Sequence, residues 1–289
     1  MTIKEKGYIH WDGELSERRF PWWPIARYGI KLSFKKKFFK FIFFMTLIPA
    51  IVFLVGVYIS ERLEDFRHMI PDSPLFLKVN PAFFKTYFTN DFLLFMMILI
   101  LVFVGSGLIS DDLKHNSLQL YFSRPIKKKD YFIGKISIIA FFLFIMTLFS
   151  GLILFIMKIV FSGSFKFFAA YPWLPLSIIG YSLFLTGFFS LYALLFSSLS
   201  KNRRYVAILI FGLYFFSDIL FGIFYGIFRN QYFSLLSLTV NLKQVGALFF
   251  KQKMAFSVPG IYSLLILTGF CTLAVFVLKK RVKGVQVVK

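Results

Sequence analysis

Six stretches of this sequence run for about twenty residues or more with almost no charge, long enough for helices rising about 1.5 Å per residue to cross a hydrocarbon layer about 30 Å thick. They extend from Phe38 to Ile59, Asp91 to Ser110, Tyr131 to Phe161, Leu174 to Leu199, Tyr205 to Ile227 and Val258 to Leu278. No soluble fold could bury so much apolar surface: 58% of the residues are hydrophobic, against roughly 45–50% in soluble domains. The expected fold is therefore an all-α polytopic membrane protein with six transmembrane helices. The third stretch is long enough to tilt or to extend beyond the bilayer, and the fourth and fifth are separated only by the basic turn SKNRRY.

An even number of spans puts both termini on one side, and the Lys and Arg residues choose which. Residues 1–37, the 110–130 loop, the 200–204 turn and the tail from Lys279 hold 22 of the 34 Lys and Arg residues, whereas the loops on the other side hold nine. Cytoplasmic loops collect such residues, so both termini are expected inside. The same rule accounts for the basic balance, 34 Lys and Arg against 13 Asp and Glu, without a nucleic-acid partner. Lys40, Lys135 and Lys158 fall inside span ends, where long side chains can snorkel to the interface.

The chain divides into a leader of residues 1–37, a transmembrane domain of residues 38–278 and a basic tail of residues 279–289. The leader is longer than the charged region of a cleavable signal, so the first span is expected to stay as an anchor. Arg27, Lys31 and Lys35 lie four apart on one helical face, with Ile25, Tyr28 and Leu32 on another and Trp22 and Trp23 at the start. This pattern suits a helix in the headgroup region touching anionic lipid, and equally a simple topogenic charge cluster. The external 228–257 segment is too polar at Asn230, Gln231, Asn241, Lys243 and Gln244 for a seventh span. A pair of short helices dipping into the outer leaflet is expected there.

Catalytic chemistry is missing. Cys271 is the only cysteine, His10, His68 and His115 are far apart, and no metal site is expected. Gly134-Lys135 imitates the end of a phosphate-binding loop, but Lys129 and Ile136 stand where a Gly and a hydroxyl are required. Asp218, in LYFFSDILFG, is the one acid at membrane depth. It is expected either on a substrate path or moving helix interface, or in a hydrogen bond to a neighbouring span bearing Ser or Thr. A channel or secondary carrier would want internal repeats, broken helices or several buried charges. No convincing repeat is found, and Pro49, Gly105 and Gly107 are explained by ordinary helix packing.

One polar stretch remains, SDDLKHNSLQLYFSRPIKKKDYFIGK at residues 110–135, between two of the most apolar runs. Its order of acid, small or hydroxyl pair, Leu-x-Leu, Pro, basic residues, acid and Gly-Lys resembles the cytoplasmic segment after the second span of ABC-2 type permeases, the membrane subunits of ATP-binding cassette transporters. Asp112 stands where the family commonly has an acid, Asn116-Ser117 where it has Gly-Thr, and Leu118-Gln119-Leu120 where it has Leu-Glu-Leu. Pro125-Ile126 starts the Pro-led turn, and Asp130 and Gly134-Lys135 complete the pattern. Lys114, where a second acid is common, and Asn116 in place of Gly depart from it.

The resemblance implies a non-catalytic permease subunit in a bacterial cytoplasmic membrane, working as an exporter with a second copy or paralogue. Its partners would be separate ATPase subunits that bind ATP and Mg²⁺, besides membrane lipid. It also implies a coupling helix between spans 2 and 3 whose ATPase contacts are Asp111, Asp112, Leu113, Ser117, Leu118, Leu120, Tyr121, Arg124 and Pro125. Local physics fits a helix here: Ser110 or Asp111 can cap it, Asp111 and Asp112 would lie at its positive end, and Pro125 would stop it. Leu113, Leu120 and Tyr121 would share a face. The bland alternative is a solvated loop whose apolar face rests on the membrane. A secondary carrier or channel, and a non-transporting scaffold, are the rival functions.

Overall fold

A computed structural model of the chain describes residues 20–62, 79–122 and 126–282. The protein is an all-α polytopic membrane protein, with no strand among the described residues. Six helical stretches are long and apolar enough to cross a membrane: Lys37–Glu61, Pro81–Lys114, Lys128–Ser162, Leu174–Leu199, Arg203–Phe228 and Gly260–Arg281, here spans 1 to 6. Spans 2 and 4 are the most buried, while spans 5 and 6 turn most of their apolar side chains outward, as a lipid-facing helix must. Large aromatic side chains fill the centre, among them Phe88, Phe142, Tyr181, Phe188 and Tyr192.

Local sequence explains where the spans bend. Span 1 breaks at Thr46 and Leu47, because Pro49, near the start of the Ile48–Glu61 helix, has no N–H to return to Met45. Span 2 starts at Pro81 rather than Asp91. Asn80 accepts a bond from the Phe83 N–H at 3.1 Å and caps a first helix, Pro81–Phe88. Asn90 then caps the next, Asp91–Ile100, accepting from Phe92 N–H at 2.9 Å. The expected boundary at Asp91 was this internal cap. Two π-helical turns, Leu101–Gly105 in span 2 and Ile145–Phe149 in span 3, both pack against span 4. Gly105 is needed at that crossing, since a Cβ there would lie 2.8 Å from the Ala193 Cβ.

The leader folds as a helix, Trp22–Phe34, laid along the start of span 3. Ala26 is buried, and a Cβ on Gly134 would come within 2.9 Å of the Ile25 Cβ. Ile25 therefore faces the bundle, apart from Tyr28 and Leu32, which are exposed.

The 228–257 segment forms the expected pair of short helices, a 3₁₀ turn at Gln231–Leu236 and an α-helix at Leu238–Phe249. They pack against spans 4, 5 and 6 with polar side chains pointing inward. Gln244 accepts from the Ser263 hydroxyl at 2.6 Å, and the Tyr181 hydroxyl donates to the Leu242 carbonyl at 2.8 Å. Those bonds offset part of the cost of burying a segment too polar for lipid, while Ser234 Oγ, Asn241 Oδ1 and Gln244 Nε2 are buried without a hydrogen-bond partner.

Candidate functional site

Beyond its π turn, span 2 carries straight on as the helix Gly107–Lys114. Asp111 and Asp112 therefore occupy the last turn of a helix, not the first turn of a new one. Ser110 is buried inside the run, its hydroxyl donating to the Ser106 carbonyl at 2.7 Å, so it caps nothing. A carboxylate at a helix C-terminus meets the negative end of the helix dipole and must be offset elsewhere. Asp112 finds the Lys135 ammonium at 2.7 Å and the Tyr131 hydroxyl, which donates at 2.6 Å. Lys135 does not snorkel: its side chain is 8% exposed and that of Asp112 13%. The Lys135 Nζ also lies 5.7 Å from the Tyr121 ring and 5.3 Å from the Tyr131 ring, within cation–π range. The two rings meet edge to face at 5.3 Å. Burial and the nearby Asp112 raise the Tyr121 hydroxyl above its ordinary value.

The helix ends at His115, and Asn116 turns the chain with φ 54, a left-handed conformation that suits Gly and that Asn tolerates. A short helix, Ser117–Phe122, follows. Leu118 is buried, Leu113 and Tyr121 pack against the core, and Asp111 and Ser117 are half-buried. Lys114, His115, Asn116 and Gln119 are exposed. Of Leu120 only the backbone is described, and Arg124 and Pro125 lie outside the described residues.

Spans 4 and 5 grip the root of this segment. The Ser197 hydroxyl accepts from the Ile109 and Ser110 N–H groups at 2.9 and 3.0 Å and donates to the Ser106 carbonyl at 3.0 Å. These main-chain groups need outside partners because the π turn has widened the hydrogen-bond ladder just before them. The Arg203 guanidinium donates from Nε to the Ser106 hydroxyl at 3.1 Å and from Nη2 to the Phe103 carbonyl. Sequence reading passed over Ser197 and Arg203 as site residues and gave Lys135 a snorkelling role in place of a buried partner; the charge of Lys135 within an apolar run was the one available signal.

Asp218 occupies a different setting. Its carboxylate accepts from the Ser237 hydroxyl at 2.5 Å and the Thr239 hydroxyl at 2.7 Å. Ser237 is also the N-cap of the Leu238–Phe249 helix, accepting from the Val240 N–H at 2.9 Å, while the Ser217 hydroxyl accepts from the Leu238 N–H at 3.1 Å. Asp218 thus sits at the positive end of that helix and pins it to span 5. The expected bond to Ser or Thr exists, supplied by the segment after span 5 and not by a neighbouring span.

Trp22 is half-buried, edge-on to Trp23 at 5.8 Å, and Trp23, Arg27, Lys31 and Lys35 are exposed. Lys158, expected to snorkel, is paired with Glu61 at the other end of the bundle. Among the described residues no group of three or more His, Cys, Asp or Glu could hold a metal ion. No protein-family model matches this chain, and no curated protein compared with it does either.

Proposed function

We propose that this chain is the permease subunit of an ATP-binding cassette transporter of the ABC-2 type, forming the membrane pathway of an exporter. The ATPases are separate chains that bind ATP and Mg²⁺, and a second permease copy or paralogue completes the pathway. The reading rests above all on the way the 107–122 segment is attached. Span 2 runs into it, Asp112 ties it to span 3, and Ser197 and Arg203 hold its root to spans 4 and 5. A push on the exposed Lys114, His115 or Gln119 is therefore carried into four spans, which is what a coupling element requires. The left-handed Asn116 adds support, since it gives a backbone reason for the Gly common at this position in the family. In this reading both termini and the segment face the cytoplasm of a bacterial cell, as the Lys and Arg bias predicts.

The test is co-purification of the chain with any soluble ATPase found encoded beside its gene, followed by ATP hydrolysis in reconstituted vesicles. Replacing the exposed pair, His115→Glu with Gln119→Glu, should weaken association by more than about 1 kcal/mol while leaving insertion intact. Leu120→Ala with Tyr121→Ala should do the same or uncouple hydrolysis from transport. If the protein retains its ATPase and its coupling in both variants, or no ATPase is retained by the wild type, the reading is wrong.

A further inference from the structure

Span 2 carries a half-exposed apolar stripe, Phe95, Leu99, Val102 and Phe103. Span 1 flanks it on one side, with the Phe38 ring 5.5 Å from that of Phe103. Span 5 flanks it on the other, with Phe211 and Phe215 each 6.2 Å from Phe95. Phe38 is itself 63% exposed, so the aromatic wall continues outward. The result is an apolar groove along span 2.

Two cations stand at its head. Lys36 occupies the extended break between the leader helix and span 1, with φ −84 and ψ 115, and Arg203 opens span 5. Partial desolvation, and after it the charge of Arg203, hold the Lys36 amine below its ordinary value, and Asp111 acts in the opposite direction. Neither cation makes an ion pair among the described residues. Asp111 is the one described acid near them, a Cβ on Gly107 lying 2.5 Å from its Oδ2 and 3.3 Å from the Arg203 Cδ, which leaves the head with a net positive charge. Arg203 cannot swing away, because its bonds to Ser106 and the Phe103 carbonyl hold the guanidinium in place. A guanidinium has five N–H donors, so others remain for a ligand. Like charges repel, and an anion between them offsets that repulsion.

We propose that this groove binds one anionic phospholipid, its phosphate between Lys36 and Arg203 and an acyl chain along Phe103, Phe38, Val102 and Leu99. The ligand follows from the pairing of a cationic head with an apolar trough. A free phosphate would use only the head, and a second copy of this chain only the trough. The site is independent of the proposed transport function, since a carrier or scaffold would hold the same lipid.

The full chain, purified in detergent, is titrated with phosphatidylglycerol, with phosphatidylcholine of the same acyl chains, and with inorganic phosphate. Thermal unfolding and native mass spectrometry are the readouts. Phosphatidylglycerol should raise the unfolding temperature and stay bound at one per chain, with little effect from the other two. Lys36→Gln should weaken that binding by about tenfold or more, without lowering the lipid-free unfolding temperature, whereas Lys31→Gln on the exposed leader face should not. Equal stabilisation by phosphatidylcholine, or equal behaviour of the two variants, overturns the proposal. So does a full effect from inorganic phosphate alone, or a lipid-free dimer that ignores phosphatidylglycerol.

Discussion

Asp112 and Asp218 are both carboxylates in a largely apolar bundle, and the fold accommodates them in opposite ways. Asp112 lies at the C-terminal end of its helix, where the dipole opposes a negative charge, and it is met by a buried ammonium and a phenol hydroxyl. Asp218 faces the N-terminus of the Leu238–Phe249 helix, where the dipole favours the charge, and two hydroxyls are enough. The end of the helix that an acid meets decides whether it needs a full countercharge. This difference also separates the two regions mechanically. The Asp112 clasp joins the end of span 2 to span 3, and the Asp218 clasp joins span 5 to the helix that follows it.

The sharpest way to break the comparison is Lys135→Ala. Removing one partner of a buried pair leaves an uncompensated charge, so a loss of about 3–5 kcal/mol is expected in thermal or denaturant unfolding in detergent. Adding Asp112→Asn to that variant should recover part of the loss by removing the stranded charge. If Lys135→Ala alone costs less than about 1 kcal/mol, the pair is solvated and the contrast with Asp218 collapses.

Asp218→Ala should come next, at about 1–3 kcal/mol, since it strands the Ser237 and Thr239 hydroxyls without an acceptor. Asp218→Asn keeps an acceptor oxygen and should remain folded and inserted, at a cost of about 1 kcal/mol or less. A transport assay on this variant then adds function to the comparison. Lost transport with unfolding unchanged would place Asp218 on a pathway or moving interface, and full transport would leave it a structural pin.

Sequence reading located what lipid dictates and missed what tertiary contact dictates. Span 5 was expected from Tyr205 to Ile227 and runs Arg203–Phe228, because twenty-odd apolar residues in lipid have almost no alternative to a helix. The two short helices after it were legible for a related reason: too polar to span and too apolar to be free, the segment had to pack on the bundle. Lys135 and Lys158 were misread as snorkelling because their acids, Asp112 and Glu61, lie on other spans. Asp111 and Asp112 were placed at a helix start because Ser110-Asp111 has the composition of a cap, yet span 2 overrode it by continuing through its π turn. Asn116 was noted as a departure from Gly, but only the backbone gave the departure a meaning.

Asp91 and Lys243 supply the smallest effect and the control for the other two. Their 2.5 Å separation is close to the 2.7 Å of Asp112 and Lys135, and the ions are of the same kind, so geometry and chemistry are nearly matched. What differs is burial within the protein: the Asp91 side chain is 74% exposed and that of Lys243 31%. An exposed pair contributes about 0–1 kcal/mol. Asp91 also sits in the first turn of the Asp91–Ile100 helix, where a negative charge adds about 0.3–1 kcal/mol. Asp91→Asn should therefore cost about 0.3–2 kcal/mol in the same unfolding assay, and less at high salt, because exposed charges are screened. Lys135→Ala should keep its cost at high salt, since a desolvated pair is screened far less. If the two variants respond to salt alike, burial is not what distinguishes them, and the Asp112 clasp loses its claim to hold the coupling segment rigid.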